Sequence, residues 1–258
     1  MFKRILKSVG FVLASYLLVA CTSTDYLSVA SITTEAVAAD TYMVGETPVK
    51  IVTTRFGGGG HTFVALHENE STSVSAAKKV LRTKGGVLVE LKHGGGRDLS
   101  FRYKGKTYTV DPNRIFTDAG IRKTLGASYS TEAHEVVNGL AHAILSRLSR
   151  SAIVSLHNNT NGSYSIKSYE PGKQYARDVS VPPHIVPGHD TDDFFFVTSS
   201  RIFGVLKSKG FNVALQSSSG TDDGSLSVYC VQRGIPYVNV EAQKGHLSQQ
   251  IEMIEALF

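Results

Sequence analysis

Cysteine is scarce in this sequence, which has only Cys21 and Cys230. A disulfide framework is thereby excluded, and with Cys21 inside a processing motif no intrachain bridge is left to form. Long runs of one charge are missing too. The formal charge of +5 leans on Lys3, Arg4 and Lys7; without them 24 basic residues (27 − 3) face 22 acidic ones, or about +2. That balance, with no basic run, removes the support for nucleic-acid binding. There is no internal repeat, and beyond the N-terminus no apolar run is long enough to span a bilayer. The run Gly57-Gly58-Gly59-Gly60 lacks a Gly-Lys-Ser/Thr ending and a Gly-x-Gly-x-x-Gly pattern opening a helix, so it reads as a flexible turn rather than a phosphate cradle.

What is present at the N-terminus is a processing signal. Lys3, Arg4 and Lys7 precede a short apolar core at 9–20, which ends in Leu18-Val19-Ala20-Cys21. This ending resembles the lipobox of bacterial lipoproteins, which implies cleavage before Cys21, its lipidation and attachment to a membrane. Thr22 in the next position suits the periplasmic face of an outer membrane. An ordinary signal peptide that contains a cysteine is the alternative. The expected organisation is a signal peptide over 1–21, a flexible Ser-, Thr- and Ala-rich tether over 22–44, and one domain over 45–258.

Within that domain strand-like and helix-like segments alternate. Strands are predicted at 49–54, 62–66, 87–91, 99–103, 107–110, 152–156, 164–169, 212–215 and 237–240. Helices are predicted at 71–84, 131–150 with Thr131 as cap, 192–209, 224–233 and 247–257. This order implies an α/β fold, a three-layer sandwich around a central mixed, largely parallel sheet. Ligands of such sheets gather outside the carboxyl ends of the strands. His67, His157 and Glu241 fall at such ends.

His67-Glu68-Asn69-Glu70 follows the apolar run 62–66. A histidine and a glutamate three apart at a strand mouth can reach one cation, and two His with one Glu are a common zinc-hydrolase ligand set that leaves a position open for water. The alternative is a polar turn in which Glu68 or Glu70 caps the next helix. His157 equally fits a histidine bonded to a backbone carbonyl, Arg114 a surface ion pair, and Glu241 a cap for the last helix. His134 and His142, eight apart on one predicted helix, are two turns distant and make a poor metal pair. His189-Asp190-Thr191-Asp192-Asp193 reads first as a loop and cap cluster ahead of Phe194-Phe195-Phe196, with a second ion as the other reading. Cys230 sits in an apolar helical pattern and reads as core. His93, His184 and His246 have no evident partner.

Four stretches occur in order: His67-Glu68-Asn69-Glu70, Asp111-Pro112-Asn113-Arg114, the strand end Leu156-His157, and Val238-Asn239-Val240-Glu241. Together they resemble the zinc carboxypeptidase superfamily, in its succinylglutamate desuccinylase and aspartoacylase-like branch, over most of residues 49–246. The resemblance implies Zn2+ held by His67, Glu70 and His157, with Glu241 as general base. It implies Asn113 and Arg114 as the grip on a substrate carboxylate, with Asp111 holding geometry. It also implies an arginine shortly before the Asp-x-Asn-Arg motif that polarises the scissile carbonyl, and Arg102 is the expected residue, ahead of Lys104 and Lys106. The activity that follows is zinc-dependent hydrolysis of an amide or peptide bond beside a carboxylate. The substrate would be a small peptide or acyl-amino-acid, with cell-wall peptides the supply in an envelope location. The rivals are an N-acyl amino acid deacylase and a non-catalytic carboxylate-binding lipoprotein. Retention of Glu241 speaks against the binder, which needs no general base.

Overall fold

The computed structural model describes residues 34–258. The expected signal peptide, Cys21 and most of the expected tether lie outside the described residues.

Three strands read from widely separated parts of the chain meet at the centre. β3 (Thr62–Ala65), β7 (Ile153–Asn159) and β10 (Tyr237–Gln243) lie side by side and parallel, and β4 (Gly86–Lys92) runs parallel to β3 on its other side. These strands are buried on both faces, which is why they read as nearly continuous apolar runs rather than alternating ones. β2 (Thr47–Phe56) and β1 (Glu35–Val44) extend the sheet antiparallel beyond β4. On the other side β8 (Phe194–Val197) is antiparallel to β10, and β9 (Val213–Leu215) is parallel to β8. The sheet is mixed, as the alternation of elements predicts.

Successive side chains of these strands feed two separate cores. Phe63, Leu88, Leu156 and Val240 pack under α1 (Ser71–Lys84), α4 (Ser200–Ser208) and α6 (Leu247–Glu255). Val64, Val89, Leu91 and Ile153 face α2 (Asp118–Leu125), α3 (Thr131–Leu145) and α5 (Leu226–Gln232). The hairpin of β5 (Leu99–Tyr103) and β6 (Lys106–Val110) joins this second layer. The result is the expected three-layer sandwich. No helix among the described residues is long and apolar enough to cross a membrane.

Several local expectations are corrected. Residues 35–44, read as the end of a tether, form β1 in unbroken register with β2; eight of its ten residues are exposed, so it carries no burial period to read. The helix predicted over 192–209 is β8 followed by α4. Phe194, Phe195 and Phe196 are buried strand residues, and a short apolar run looks alike in both periods. Ser199 caps α4, accepting from the Ile202 N–H. No strand forms over 164–169, where one is predicted; Ile166–Tyr169 is a 3-10 helix instead. α3 is capped by Ser130 rather than Thr131 and stops at Leu145. α2 has no counterpart in the predicted elements.

Candidate metal centre

Because β3, β7 and β10 are parallel neighbours, their carboxyl ends share one edge of the sheet, where His67, His157 and Glu241 collect. In the register of β7 and β10, His157 stands opposite Glu241. Glu70 occupies the N-cap position of α1, yet its side chain makes no capping bond. A capping role is thereby set aside, and its carboxylate turns to the two histidines. Asn158 does part of the capping instead, its Oδ1 accepting from Ser73 N–H at 2.9 Å. Buried Gln250 of α6 donates to the His157 carbonyl at 2.9 Å and accepts from Asn158 at 2.8 Å, fixing the end of β7.

The donor atoms converge closely. His67 Nδ1 is 2.9 Å from Glu70 Oε1, and His157 Nδ1 is 3.0 Å from Glu70 Oε2. One ligand atom from each of the three residues lies within 4.8 Å of the others. A tetrahedral zinc with bonds of about 2.0–2.1 Å places its ligand atoms about 3.3 Å apart, so small adjustments make a coordination shell. The far nitrogens are held from behind: Asp111 accepts the Nε2–H of His67 at 2.7 Å, and Ser155 Oγ lies 2.9 Å from Nε2 of His157. A carboxylate behind a histidine fixes which nitrogen keeps the proton and leaves the other as ligand. With Nδ1 of His67 so freed, its lone pair faces a carboxylate, an arrangement that calls for a proton or a cation between them. Two imidazoles and one carboxylate are zinc's own choice of donors, and these residues fit that ion.

The electrostatics agree. Burial alone would lower the His67 pKa, but the bonds to Asp111 and Glu70 outweigh it and raise it to about 8. Burial would raise Glu70, and the two histidines instead hold it down to about 2. Asp111 is also held well below the carboxylate range, despite its burial, by His67. Burial lowers His157. Glu241 goes the other way: desolvation and the nearby charge of Glu70 push it up to about 8, although Asn239 donates to its Oε2 at 3.2 Å.

A cleft of about 870 Å³ opens beside this group, and Glu70, Asn113, Arg114, His157 and Glu241 line it. Asn113 is oriented by the Leu226 N–H, which its Oδ1 accepts at 3.1 Å, leaving Nδ2 3.5 Å from His157 Nε2. Arg114 donates to the Asn113 carbonyl at 2.9 Å and faces Asp223 at 3.4 Å. The structure therefore brings together His67, Glu70, His157, Asn113, Arg114, Asp111 and Glu241.

Arg102 is not among them. It sits on an outward position of β5 and lines no part of the cleft. The arginine that reaches the centre is Arg97, with Nη1 2.8 Å from Glu70 Oε1 and Nη2 3.4 Å from Asp111 Oδ2. Its loop leaves the carboxyl end of β4, at the same edge as β3. The signal for it was the preceding Gly94-Gly95-Gly96 at a strand end, a place where backbone can fold close to a site. A second cluster joins Asp193 and His246, whose Nδ1 lies 3.0 Å from Asp193 Oδ2, with Asp190 at 3.9 Å. It gives His246 a partner and ties the start of β8 to the loop before α6. His134 pairs with Asp118 at 3.1 Å, away from the cleft.

No protein-family profile matches the chain, and no curated protein matches it. Solved structures similar to it include an aspartoacylase family protein from Mesorhizobium loti, at 10% identity and TM-score 0.45, covering 88% of this chain and 67% of that one. A succinylglutamate desuccinylase/aspartoacylase from Rhodobacter sphaeroides shows 12% identity and TM-score 0.42, covering 86% and 64%. The murein-tripeptide amidase MpaA from Escherichia coli O157 shows 10% identity and TM-score 0.38, covering 83% of this chain and 91% of that one. The chain thus spans about two thirds of the length of the first two. At TM-scores below 0.5 the likeness by itself assigns neither activity nor ligand.

Proposed function

We propose that the protein is a zinc-dependent hydrolase of an amide or peptide bond adjacent to a carboxylate. The observation that carries this reading is the convergence at one cleft of a His-Glu-His donor set, a buried glutamate and two arginines, drawn from separate stretches of chain. Zinc on His67, Glu70 and His157 would supply Lewis-acid polarisation and make a water acidic near neutral pH. The chain's own residues do the rest. Glu241, buried at the cleft and opposite His157 across the sheet register, is placed to take a proton from the attacking water and pass it to the leaving amine. Arg97 offers its guanidinium to the charge that develops on the carbonyl oxygen. Asn113 Nδ2 and Arg114 offer donors to a substrate carboxylate, with Arg114 giving up Asp223 to do so.

A small peptide or acyl-amino-acid with a free carboxylate fits this arrangement. The N-terminal motif ending at Cys21 supports export and lipid anchoring, and envelope peptides are then the substrate at hand. The test is zinc content of the purified protein and its His157→Ala variant, followed by hydrolysis of a panel of N-acetyl amino acids and cell-wall-derived peptides. A single zinc, lost in the variant, is expected. Glu241→Gln should keep zinc and lose about 10²–10⁴-fold in kcat, the usual worth of a general base. No metal uptake in wild type even with added zinc would overturn the proposal.

A further inference from the structure

Glu68 lies between two metal-site residues, yet its hydrogen bonds go elsewhere. Its Oε2 accepts three successive backbone N–H groups, from His93 at 2.7 Å, Gly94 at 2.9 Å and Gly95 at 2.7 Å. Gly94 and Gly95 hold φ values of 115° and 85°, a region that side chains rarely adopt, and this lets the three amides converge on one oxygen. Two residues beyond Gly95 the same loop carries Arg97, whose guanidinium spans Glu70 and Asp111. A run of three glycines has more backbone freedom than any other, so an arginine at its end is poorly placed unless the loop is pinned. The turn that provides His67 and Glu70 thus also holds the loop that brings in the arginine.

We propose that Glu68 is a positioning residue for Arg97: its carboxylate locks the 93–95 backbone in the one conformation that delivers the guanidinium to the metal centre. The proposal builds on the role given to Arg97 above. It explains why an acid one residue from a metal ligand is spent on main-chain amides. Charge-assisted bonds of this kind are stronger than neutral ones, and glutamine in its place would keep an acceptor but lose the charge.

The test follows Arg97 directly. Nitrogen-15 NMR of the full protein, metal-free and zinc-loaded, reads the Arg97 Nε–Hε signal and the Gly94 and Gly95 amides in wild type, Glu68→Gln and Glu68→Ala. In Glu68→Ala the Arg97 signal should move to its free-solvent position and exchange faster, while zinc stoichiometry stays at the wild-type value. Glu68→Gln should restore the Arg97 signal in part, with both glycine amides shifted; if the alanine variant does not fold, this variant decides. An unmoved Arg97 signal, or loss of zinc with Arg97 in place, overturns the proposal.

Kinetics on the best substrate of the panel gives a second readout. Glu68→Ala should lower kcat by about 10–100-fold with KM nearly unchanged, the scale of an outer-shell defect. In an Arg97→Ala background the same change should cost less than about 3-fold, because residues acting as a unit are not additive. Full additivity would refute the coupling. Should wild type hydrolyse nothing on the panel, the hydrolase reading fails while the NMR result still decides the role of Glu68.

Discussion

Replacing Asp111 by asparagine separates the support behind the metal centre from the ligands themselves. Asp111 is not a proposed ligand; it accepts the Nε2–H of His67 at 2.7 Å, and the His67 side chain is fully buried. The same Oδ1 accepts the Asn113 N–H at 2.7 Å, so an amide of the same shape keeps the local turn. What changes is charge. The neutral amide oxygen holds the Nε2–H of His67 less firmly than a carboxylate does, and the NH2 takes the place of the Oδ2 that faces Arg97 at 3.4 Å. A hydrogen bond to a charged group is worth about 1.5–3 kcal/mol, and losing an outer-shell partner of a ligating histidine typically costs about 10–100-fold in metal affinity, or about 1.4–2.7 kcal/mol. The two figures agree, so zinc Kd should rise about 10–100-fold in Asp111→Asn. Competition against a chromophoric chelator at fixed pH and ionic strength measures the ratio, with thermal melts of the metal-free proteins alongside to show that the fold survives. A ratio below about 3 in a folded variant would refute the reasoning, because His67 would then present Nδ1 without help from Asp111.

Two further outcomes test the frame around the site. Cys230 is buried in α5, and burial pushes its pKa up to about 12 from an ordinary 9. Deprotonation therefore opposes folding: stability is untouched below about pH 9 and falls between 9 and 12, and at pH 8 the thiolate is about a thousandfold rarer than in a free thiol. Iodoacetamide should label it only after unfolding, and labelling of the native protein would contradict the burial. Gly120 of α2 meets Gly224 backbone to backbone, and an added Cβ would overlap both the Gly224 Cα and the Arg114 carbonyl. Gly120→Ala should lose at least about 1–3 kcal/mol in denaturant unfolding by overpacking. A stability equal to wild type would show that the crossing can spread at no cost.

The strand-end placement of His67, His157 and Glu241 could be read from the chain because buried parallel strands are short apolar runs, and a polar residue closing such a run stands out. Their coming together depended on strand order, which no local pattern contains; it follows only once β3, β7 and β10 are known to be neighbours. Arg97 was missed for a different reason. Counting back from Asp111 favours a residue on a regular strand, whereas Arg97 reaches Glu70 and Asp111 from a glycine loop that has no period. The Phe194-Phe195-Phe196 strand was lost to the helix behind it, since nothing in three consecutive phenylalanines distinguishes an extended run from a helical one. β1 escaped notice because most of its side chains meet solvent.

The crossing of distant segments at the sheet centre also sets an order of events in time. His157 lies 90 residues after His67 (157 − 67), and Glu241 another 84 on (241 − 157). Contacts of such range form late and slowly, because long loops must close before any pairing rewards them. A nascent chain that has emerged as far as residue 200 already holds all three metal donors, yet it lacks β10, the strand that flanks β7 on the side away from β3. Ion capture would then wait on a pairing that closes a loop of 90 residues (157 − 67), unlike a finger whose ligands sit close together in sequence and which is built by its metal. The last strand to arrive brings Glu241 into register opposite His157, so the edge where these side chains meet is complete only when residues 237–243 are in place.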